Sequence, residues 1–596
     1  MKAKEIFEAD YLNICRKTIA NLDFESIFSY DPSPLQSSII EMDVRSPAMY
    51  IVEDATGAGK TEAALIQALK YLEASNLDGI TFALPTRSTS NLMFTRLNGY
   101  SSSMLSDSAS VTLQHASSRT FLDNSGIEID KGWTFGKNKA LFANISVCTI
   151  DQMLCSVIPV RYQPLKLLAA ARHVVIIDEV HAYDAYTFGL LCHFVRYCKI
   201  YGIPLILLSA TLPSVMKQQL IDSYGCSLSD LSSEYPLITE CKADVIQVPV
   251  EPSIRSIRSI SVRYVSDSKI IIDEMRSLAS EGMRVCWIRN TVDDAIEAFD
   301  SIPDGNYRTM LLHSRFILAD RINLENEVFA VCGKDGIREG IIVVATQIIE
   351  QSLDIEFERV YSDLAPMDAL IQRMGRDQRF NDSPIGCEFV VNGPLITADP
   401  KEDWYSAYFP RASFVYRDHN VLFNTAMMMQ GGTMSVPVDY RRMIEYAYSE
   451  PEKGSPFYEN HKEFHGIIKG SIANYRRIVL DPNMCYGCSL ASEFSDSQWD
   501  AIQRATTRET DDRTVQCMLV CEDGETIKPI SGDPETSLVA VKRKNARGID
   551  IPHNNYGKWA SIVKVLMFKK VDGSGVEYWM NDGGLKYSST RGLEYV

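Results

Sequence analysis

Two short segments of the sequence carry residues suited to binding and cleaving a nucleoside triphosphate. Residues 53–62 read EDATGAGKTE directly after the apolar run Met49–Val52, and residues 178–181 read DEVH directly after Val174–Ile177. In such a loop, backbone N–H groups and a lysine bind the phosphates, while a hydroxyl and a carboxylate hold Mg²⁺. A second carboxylate orients the attacking water. The two segments together predict ATP hydrolysis.

The first segment has the pattern of a glycine-rich phosphate loop. Gly57 and Gly59 let the backbone wrap around the β-phosphate, and Lys60 bridges the β- and γ-phosphates. Thr61 offers its hydroxyl to Mg²⁺. The loop departs from the usual pattern at Asp54, where Gly or Ala is common. A carboxylate near a triphosphate is unfavourable unless it points away, so nucleotide affinity could be affected.

The acidic segment supplies the remaining groups for hydrolysis. Asp178 would hold the metal, and Glu179 would polarise the attacking water. Upstream, Gln36 is placed where its amide could read the adenine edge. ATP and Mg²⁺ are therefore the predicted cofactors.

The elements that must position these residues alternate between apolar strands and helices. Such alternation predicts an α/β fold with a doubly wound parallel sheet, whose ligand lies at the carboxyl ends of the strands. Each segment described above falls at such an end. The strands predicted in the first half are Met49–Val52, Gly79–Leu84, Ile145–Thr149, Val174–Ile177 and Leu205–Leu208.

A second α/β series follows and contains no phosphate loop. Its predicted strands are Arg284–Ile288, Met310–Leu312, Ile341–Ala345 and Arg359–Tyr361. After them, Arg373, Arg376 and Arg379 recur at three-residue spacing and share one face of a helix. Such a face is often only solvated or ion-paired. However, a γ-phosphate in the first half lacks charge stabilisation in the transition state, so Arg376 and Arg379 are predicted arginine fingers. The predicted catalytic residues are thus Lys60, Glu179, Arg376 and Arg379.

Composition restricts the class of protein. The chain of 596 residues is long enough for three or four domains. Its 14 cysteines and the lack of an apolar signal segment after Met1 predict reduced thiols in the cytoplasm. No apolar run approaches the roughly 20 residues that span a bilayer. With a net charge of −17, any nucleic-acid site must be a local basic groove.

Two groups of residues leave a choice between metal binding and ordinary packing. The cysteine pairs 485/488 and 517/521 could hold zinc, although apolar neighbours of the second pair suit a strand with buried thiols. His461 and His465 would share a helix face, either as a metal pair or as an exposed linker face.

The motifs and their order resemble those of superfamily 2 helicases, which have two RecA-like lobes. The motifs are Gln36, the phosphate loop, Pro85-Thr86-Arg87, the DEVH segment, Ser209-Ala210-Thr211, residues 346–354 and residues 372–379. Longer strings at 147–154, 176–191, 207–213 and 344–358 resemble the helicase of type I CRISPR systems, a DNA-degrading effector recruited by the Cascade complex. The resemblance covers roughly residues 30–400, and a weaker one near 539–559 extends to that family's C-terminal domain.

The resemblance implies ATP-driven 3′→5′ translocation on single-stranded DNA. Phosphates of the strand would be held by Pro85, Thr86 and Arg87 on one lobe and by Thr346 and Gln347 on the other. The γ-phosphate state would be coupled to the DNA path by Ser209, Ala210, Thr211, Gln372 and Arg373. The expected nucleotide contacts are Gln36, Thr56, Gly57, Ala58, Gly59, Lys60, Thr61 and Asp354.

The resemblance also implies partners and alternatives. The partner would be a Cascade-type RNA-guided complex, and the substrate would be the strand displaced in its R-loop. Family members usually carry an N-terminal nuclease domain with paired His and Asp ligands, whereas this sequence has no His-Asp dipeptide. We expect a helicase-only subunit, monomeric when free, with a separate HD nuclease acting in trans. One alternative is an RNA helicase, because phosphate contacts discriminate poorly between DNA and RNA. The other is an ATP-switched recruitment protein that does not unwind.

The predicted domains follow the motifs. They are a helical lead (1–30), two RecA-like lobes (31–248 and 249–394), a helical connector (395–490) and a small C-terminal accessory domain (491–596). Aromatic residues in the connector would either stack on bases or pack against the lobes. These are Trp404, Tyr405, Tyr408, Phe409, Tyr440, Tyr446 and Tyr448.

Overall fold

The computed structural model describes most of the chain, in two compact units. The described residues are 22–105, 109–115, 118, 121–122, 139–210, 212–253, 256–334, 336–337, 339–351, 355–377, 387–476, 479–481, 514–523, 526–534, 536–546, 564–571, 578–581 and 583–595. Unit 1 takes its residues from 1–258, 435–449 and 461–509, and unit 2 from 259–434, 450–460 and 510–596. Within the described residues, no helix is both long enough and apolar enough to cross a membrane.

Unit 1 is built around an eight-stranded sheet in the order β3-β4-β2-β5-β6-β1-β7-β8. The strands from β3 to β1 in this order pair in parallel, while β7 and β8 add an antiparallel edge. The bounds are β1 Met49–Glu53, β2 Gly79–Leu84, β3 Val111–Gln114, β4 Ile145–Thr149, β5 His173–Ile177, β6 Leu205–Ser209, β7 Leu237–Cys241 and β8 Val245–Pro249. Because β5, β6 and β1 are neighbours, their carboxyl ends meet at one edge of the sheet.

Helices cover both faces of this sheet, so its central strands bury apolar side chains on both faces. Met49 and Ile51 belong to one buried cluster, and Tyr50 and Val52 belong to the other. Such two-sided burial explains the continuous apolar runs in the sequence. The helices are Phe24–Phe28, Pro34–Glu41, Lys60–Ala74, Arg87–Met104, Ile150–Leu154, Gln163–Ala171, Ala185–Tyr201, Ser214–Ser223 and Tyr440–Ala447, with 3₁₀ turns at Ala140–Phe142 and Val180–Ala182. The helix Tyr458–Arg476 contributes residues to both units.

Unit 2 contains a second α/β sheet, in the order β11-β12-β10-β13-β14-β9-β15. The pairs from β11 to β9 are parallel. The bounds are β9 Arg258–Val265, β10 Arg284–Ile288, β11 Arg308–Leu312, β12 Ile341–Ala345, β13 Arg359–Asp363, β14 Glu388–Asn392 and β15 Gly431–Val436. The helices are Ser268–Ser280, Val292–Asp300, Leu318–Cys332, Ile348–Gln351, Met367–Met374, Trp404–Tyr408 and His419–Met428, with a 3₁₀ turn at Ala412–Phe414. The predicted α/β fold with parallel-rich sheets in tandem is confirmed.

A third sheet, also in unit 2, is formed by the C-terminal residues. Its order is β17-β16-β19-β20-β21-β22, with β18 paired to β16. The bounds are β16 Thr514–Asp523, β17 Thr526–Pro529, β18 Leu538–Lys542, β19 Lys564–Val571, β20 Tyr578–Met580, β21 Leu585–Ser588 and β22 Gly592–Tyr595. Cys517 is buried in β16, as the packing alternative expects. Cys485 and Cys488 lie outside the described residues.

The last strand, β22, packs closely against the loop that follows β11. Leu593 N donates to the Arg315 carbonyl at 2.8 Å. Gly592 has a φ of +69°, and a Cβ there would lie 2.7 Å from His313 Cε1 and 2.8 Å from the Arg315 carbonyl oxygen. Only glycine fits this approach, because it lacks a Cβ and tolerates positive φ. The C-terminal sheet is thus anchored to the α/β lobe of its own unit.

Aromatic residues of the predicted connector mostly pack inside the protein. Trp404, Tyr405, Phe409 and Tyr440 are buried. The Trp404 ring lies edge-on to Phe423 with a centroid distance of 5.2 Å. The packing alternative therefore holds for these residues. Tyr446 and Tyr448 are exposed.

Candidate nucleotide site and nucleic-acid contacts

The phosphate loop runs from β1 to the helix Lys60–Ala74. Gly57 and Gly59 both have a φ of +86°, which favours glycine. A Cβ at Gly59 would also lie 2.2 Å from Gln36 Nε2. Thr56, Gly57, Ala58, Gly59 and Thr61 follow one another around this turn, where Ala58 is buried and Thr56 and Thr61 are half-buried. The backbone geometry therefore matches the predicted loop.

Lys60 is held within the loop by neutral acceptors. Its Nζ donates to the carbonyls of Asp54 and Ala55 at 2.6 and 2.8 Å. The Asp54 side chain is only 1% exposed, and its Oδ1 accepts from Ala55 N at 2.7 Å. Burial raises the pKa of Asp54 to about 6, although Lys60 acts in the opposite direction. The unusual carboxylate is thus engaged by the backbone of the loop.

Gln36 lies in the helix Pro34–Glu41 and supports the phosphate loop. Its Nε2 donates to the Gly59 carbonyl at 3.1 Å, and its Oε1 accepts from Ser33 N at 2.7 Å. Ser33 in turn caps the helix Pro34–Glu41. The amide is therefore fixed beside the loop, and its contact with adenine stays a prediction.

Asp178 and Glu179 follow β5 in a tight turn. Asp178 Oδ1 accepts from Glu179 N at 2.8 Å. Burial and the adjacent Glu179 carboxylate raise the pKa of Asp178 to about 7, while Lys60 lowers it. Glu179 has a φ of +54°, an uncommon conformation for a residue with a side chain. Such backbone strain concentrates at functional sites, which agrees with the predicted role of this carboxylate.

A chain of side-chain contacts joins this turn to the end of β6. His181 Nδ1 lies 2.9 Å from Ser209 Oγ. His181 Nε2 lies 2.9 Å from Glu179 Oε2, in ion-pair range but poorly aligned for a hydrogen bond. Ser209 and His181 are both buried. The structure thus brings Ser209 together with the predicted catalytic carboxylate, whereas Thr211 lies outside the described residues.

The predicted DNA contacts of unit 1 lie where β2 gives way to a helix. Thr86 is the N-cap of the helix Arg87–Met104, and its Oγ1 accepts from Thr89 N at 3.2 Å. Arg87 is exposed in the first turn of that helix, whereas Pro85 is buried. The side chain of Thr86 is therefore used locally, and Arg87 has the exposure that a phosphate contact needs.

The predicted DNA contacts of unit 2 follow β12. Thr346 is 4% exposed, and its carbonyl accepts from Ile349 N at the start of the next helix. Gln347 Nε2 donates to the Asn290 carbonyl at 2.8 Å. The two residues thus form a fixed turn at the carboxyl end of the strand.

Arg373 is fully buried, and its guanidinium has several partners in unit 2. Nε donates to Glu350 Oε1 at 2.7 Å, and Nη1 donates to Ser362 Oγ at 2.8 Å. Nη1 also reaches Asn290 Oδ1 at 3.1 Å, and Nη2 reaches Tyr416 Oη at 3.3 Å. Burial disfavours the charge, but Glu350 outweighs it and the pKa of Arg373 is raised. Arg373 therefore joins several elements of the lobe.

Arg376 and Gln372, which are predicted site residues next to Arg373, are both buried. Arg376 is 5% exposed and donates from Nη2 to the Glu350 carbonyl at 2.5 Å. Gln372 is 8% exposed in the helix Met367–Met374. Arg379 and Asp354 lie outside the described residues.

One charged cluster beside the phosphate loop was missed by the sequence reasoning. Glu53, the last residue of β1, is buried and binds both Lys217 and Arg441. The only sequence signal was a carboxylate at the end of an apolar strand. Nothing in the sequence pattern pointed to Arg441, which is 388 residues away.

Two regions of the chain match known families. Residues 33–219 match the DEAD/DEAH box helicase family, and residues 281–382 match the family described as CRISPR-associated nuclease/helicase Cas3, C-terminal. The CRISPR-associated endonuclease/helicase Cas3 of Escherichia coli K12 is 34% identical over 463 residues, covering 72% of this chain and 51% of that protein. The Cas3 nuclease/helicase of Streptococcus thermophilus is 33% identical, covering 60% and 42%. The chain thus spans about half the length of these curated relatives.

Solved structures show the same fold. The crystal structure of T. fusca Cas3-AMPPNP has a TM-score of 0.81 at 22% identity and covers 100% of this chain and 74% of that chain. A chain in the structure titled CRISPR RNA-guided surveillance complex, pre-nicking, has a TM-score of 0.69 at 21% identity and covers 95% and 70%.

Proposed function

Because this chain is a Cas3-like helicase, we propose that it is an ATP-driven 3′→5′ translocase on single-stranded DNA in a type I CRISPR interference system. The observation that carries the proposal is the series of contacts from Glu179 through His181 to Ser209. It connects the carboxylate that would orient water with the segment that would report the nucleotide state. A protein that only binds ATP has no need of such a link.

ATP would bind at the carboxyl ends of β1 and β5. Lys60 would exchange the carbonyls of Asp54 and Ala55 for phosphate oxygens, which are stronger acceptors because they are charged. The donor set of a threonine hydroxyl and an aspartate carboxylate, Thr61 and Asp178, fits Mg²⁺. When bound, the metal would neutralise developing charge on the phosphates. Glu179 would orient the water for attack.

The protein would bind DNA through other segments at the carboxyl ends of the strands. Arg87 would bind a backbone phosphate, together with the turn formed by Pro85 and Thr86. Thr346 and Gln347 would make the corresponding contacts from unit 2. When the γ-phosphate leaves, a change at Glu179 would reach Ser209 through His181, and Arg376 and Arg379 would stabilise the charge of the transition state.

The partner would be a Cascade-type RNA-guided complex, with the strand displaced in its R-loop as substrate. A structural neighbour titled as a CRISPR RNA-guided surveillance complex supports this choice of partner. The sequence has no His-Asp dipeptide of the kind that binds paired metals in the family's nuclease. We therefore propose that an HD nuclease outside these 596 residues makes the cut, so these residues alone with Mg²⁺, Mn²⁺ or Co²⁺ should not cut single-stranded DNA.

Strand displacement tests the motor directly. The protein is incubated with ATP and a duplex carrying a 3′ single-stranded tail, a 5′ tail or an RNA tail, and release of the labelled strand is followed. The 3′ DNA tail should support release, and Lys60→Ala should abolish it. Equal release with RNA would favour an RNA helicase, and ATP hydrolysis without release would favour a recruitment switch.

DNA-stimulated ATPase activity tests the proposed contacts. Arg87→Ala should weaken stimulation across DNA sequences, because its contact is with a phosphate. Stimulation should also fall with salt, because binding releases counterions. A rate that ignores DNA at every salt concentration would contradict the motor. Arg45, which is exposed and paired with Asp43, provides the control substitution Arg45→Ala.

A further inference from the structure

Three buried charged side chains meet at the end of β1, the strand that leads into the phosphate loop. Glu53 is fully buried at the end of β1. Its Oε2 accepts from Lys217 Nζ at 2.8 Å, and its Oε1 accepts from Arg441 Nη2 at 2.5 Å. The Lys217 and Arg441 side chains are 1% and 7% exposed. One carboxylate therefore holds two buried cations.

The second cation has a second carboxylate beside it at longer range, since Arg441 Nη1 lies 3.7 Å from Glu445 Oε1. Burying a charge is costly unless it also gains specific hydrogen-bond partners. Arg441 gains such a partner, because its Nη1 donates to the Leu212 carbonyl at 2.9 Å. The guanidinium therefore bridges the strand that enters the phosphate loop and the segment that follows Ser209.

Other contacts of the same helix fall on that segment. Ser214 N and Oγ both donate to Glu445 Oε1, at 3.1 and 2.5 Å. The Tyr440 ring packs edge-on against Tyr235 with a centroid distance of 5.8 Å, and Tyr235 Oη donates to the Ala210 carbonyl at 2.5 Å. The helix Tyr440–Ala447 is thus joined to Leu212 and Ser214 directly and to Ala210 through Tyr235.

The path of the chain gives this helix a special place. Residues 435–449 belong to unit 1, whereas 259–434 and 450–460 belong to unit 2. A change in the nucleotide site that moved Glu53 or Leu212 would therefore reach a segment whose two flanks are both part of the other unit. A mobile surface helix would not transmit it, but one held by a forked guanidinium can.

We infer that Arg441 is a positioning residue that couples the phosphate loop and the segment after Ser209 to unit 2 through the helix Tyr440–Ala447. The inference rests on the proposed ATP-driven translocation, and it adds a coupling path outside the motifs. Arg441 touches neither ATP nor DNA in this role. It holds the groups that respond to them.

The test compares Arg441→Ala and Arg441→Lys with Arg442→Ala in the full chain. Arg442 is the matched control, since its side chain is 71% exposed and pairs with nearby Asp439 at 2.8 Å. ATPase rates are measured against ATP concentration with and without single-stranded DNA, and thermal midpoints are recorded. Arg441→Ala should lower the ratio of DNA-stimulated to basal kcat about tenfold, within the range for residues that couple distant sites. Arg442→Ala should keep the parental ratio.

Arg441→Lys separates coupling from stability. Lysine can pair with Glu53 but lacks the planar fork that spans Glu53 and Leu212, so the thermal midpoint should recover while the stimulation ratio stays low. The inference is overturned if the stimulation ratio is unchanged in Arg441→Ala or is fully recovered in Arg441→Lys. It is also overturned if the thermal midpoint of Arg441→Ala falls by more than about 10 °C, because the residue would then be mainly structural. Absence of DNA-stimulated hydrolysis in the parental protein would instead refute the proposed function, and the inference with it.

Discussion

The phosphate loop of unit 1 and the arginine-bearing segment of unit 2 both carry cations, but they hold them differently. Lys60 donates to two neutral backbone carbonyls of its own loop. Arg373 donates to a carboxylate and several further side chains, and it is fully buried. A triphosphate can displace neutral carbonyls, whereas it cannot displace Glu350 without leaving a buried carboxylate unpaired.

The availability of a cation, and not its charge alone, therefore decides its role. Lys60 is suited to exchange partners during turnover. Arg373 is suited to hold the lobe together. Arg376 lies between these cases, because its Nη2 donates to a backbone carbonyl although the side chain is buried.

The largest expected effect is in unit 1. Lys60→Ala should lower kcat/KM for ATP by about 10³-fold or more, because the phosphate clamp is lost. Glu179→Gln should lower kcat to a similar extent while retaining ATP, because it affects the water and not the phosphates. Phosphate release and binding of a fluorescent ATP analogue measure the two quantities. Parental turnover in Glu179→Gln would show that another group orients the water.

The next largest effect concerns stability. Arg373→Ala should reduce the free energy of unfolding by about 3–5 kcal/mol, because Glu350 is left as a buried unpaired charge. Urea denaturation measures this change. Arg411→Ala is the control, since Arg411 is 44% exposed and its ion pairs should contribute less than about 1 kcal/mol. If both variants lose the same stability, the buried ion pair of Arg373 contributes no more to folding than the exposed pairs of Arg411.

A smaller effect should separate Arg376 from Arg373. Arg376→Ala should lower kcat by about 10²-fold with little change in ATP binding, because its charge is needed mainly as the γ-phosphate leaves. Steady-state kinetics and denaturation are compared on the same preparation. Preserved kcat with a large loss of stability would place Arg376 with Arg373 as a structural residue.

The smallest expected effect is a pH dependence within the phosphate loop. The pKa of Asp54 is raised from its ordinary 3.8 to about 6, so the folded state binds the proton more tightly than the unfolded state. Its contribution to stability is therefore greatest below pH 3.8 and is lost as the pH rises to about 6. Relative to the parent, Asp54→Asn should gain up to about 2 kcal/mol between pH 4 and pH 7. A constant difference across this range would show that Asp54 is not perturbed.

The sequence alone was sufficient for the features that depend on near neighbours in the chain. The apolar runs predicted β1, β2, β4, β5 and β6, because strands buried on both faces need apolar side chains at every position. The glycines and Lys60 follow the same logic, since a phosphate loop is a local turn. Strands such as β8 were missed. The residues of β8 are half-buried or exposed, so this strand has no continuous apolar run.

Only the tertiary structure decided which distant groups meet. Gln36 reaches Gly59 over 23 residues, and Arg441 reaches Glu53 over 388. It also decided that the Arg373 guanidinium is paired with Glu350, although the three-residue spacing predicted the same helix face for Arg373 and Arg376. Periodicity specifies a face of a helix, but it does not specify what packs on that face. The partners come from other segments, and their arrival depends on the packing of the whole unit.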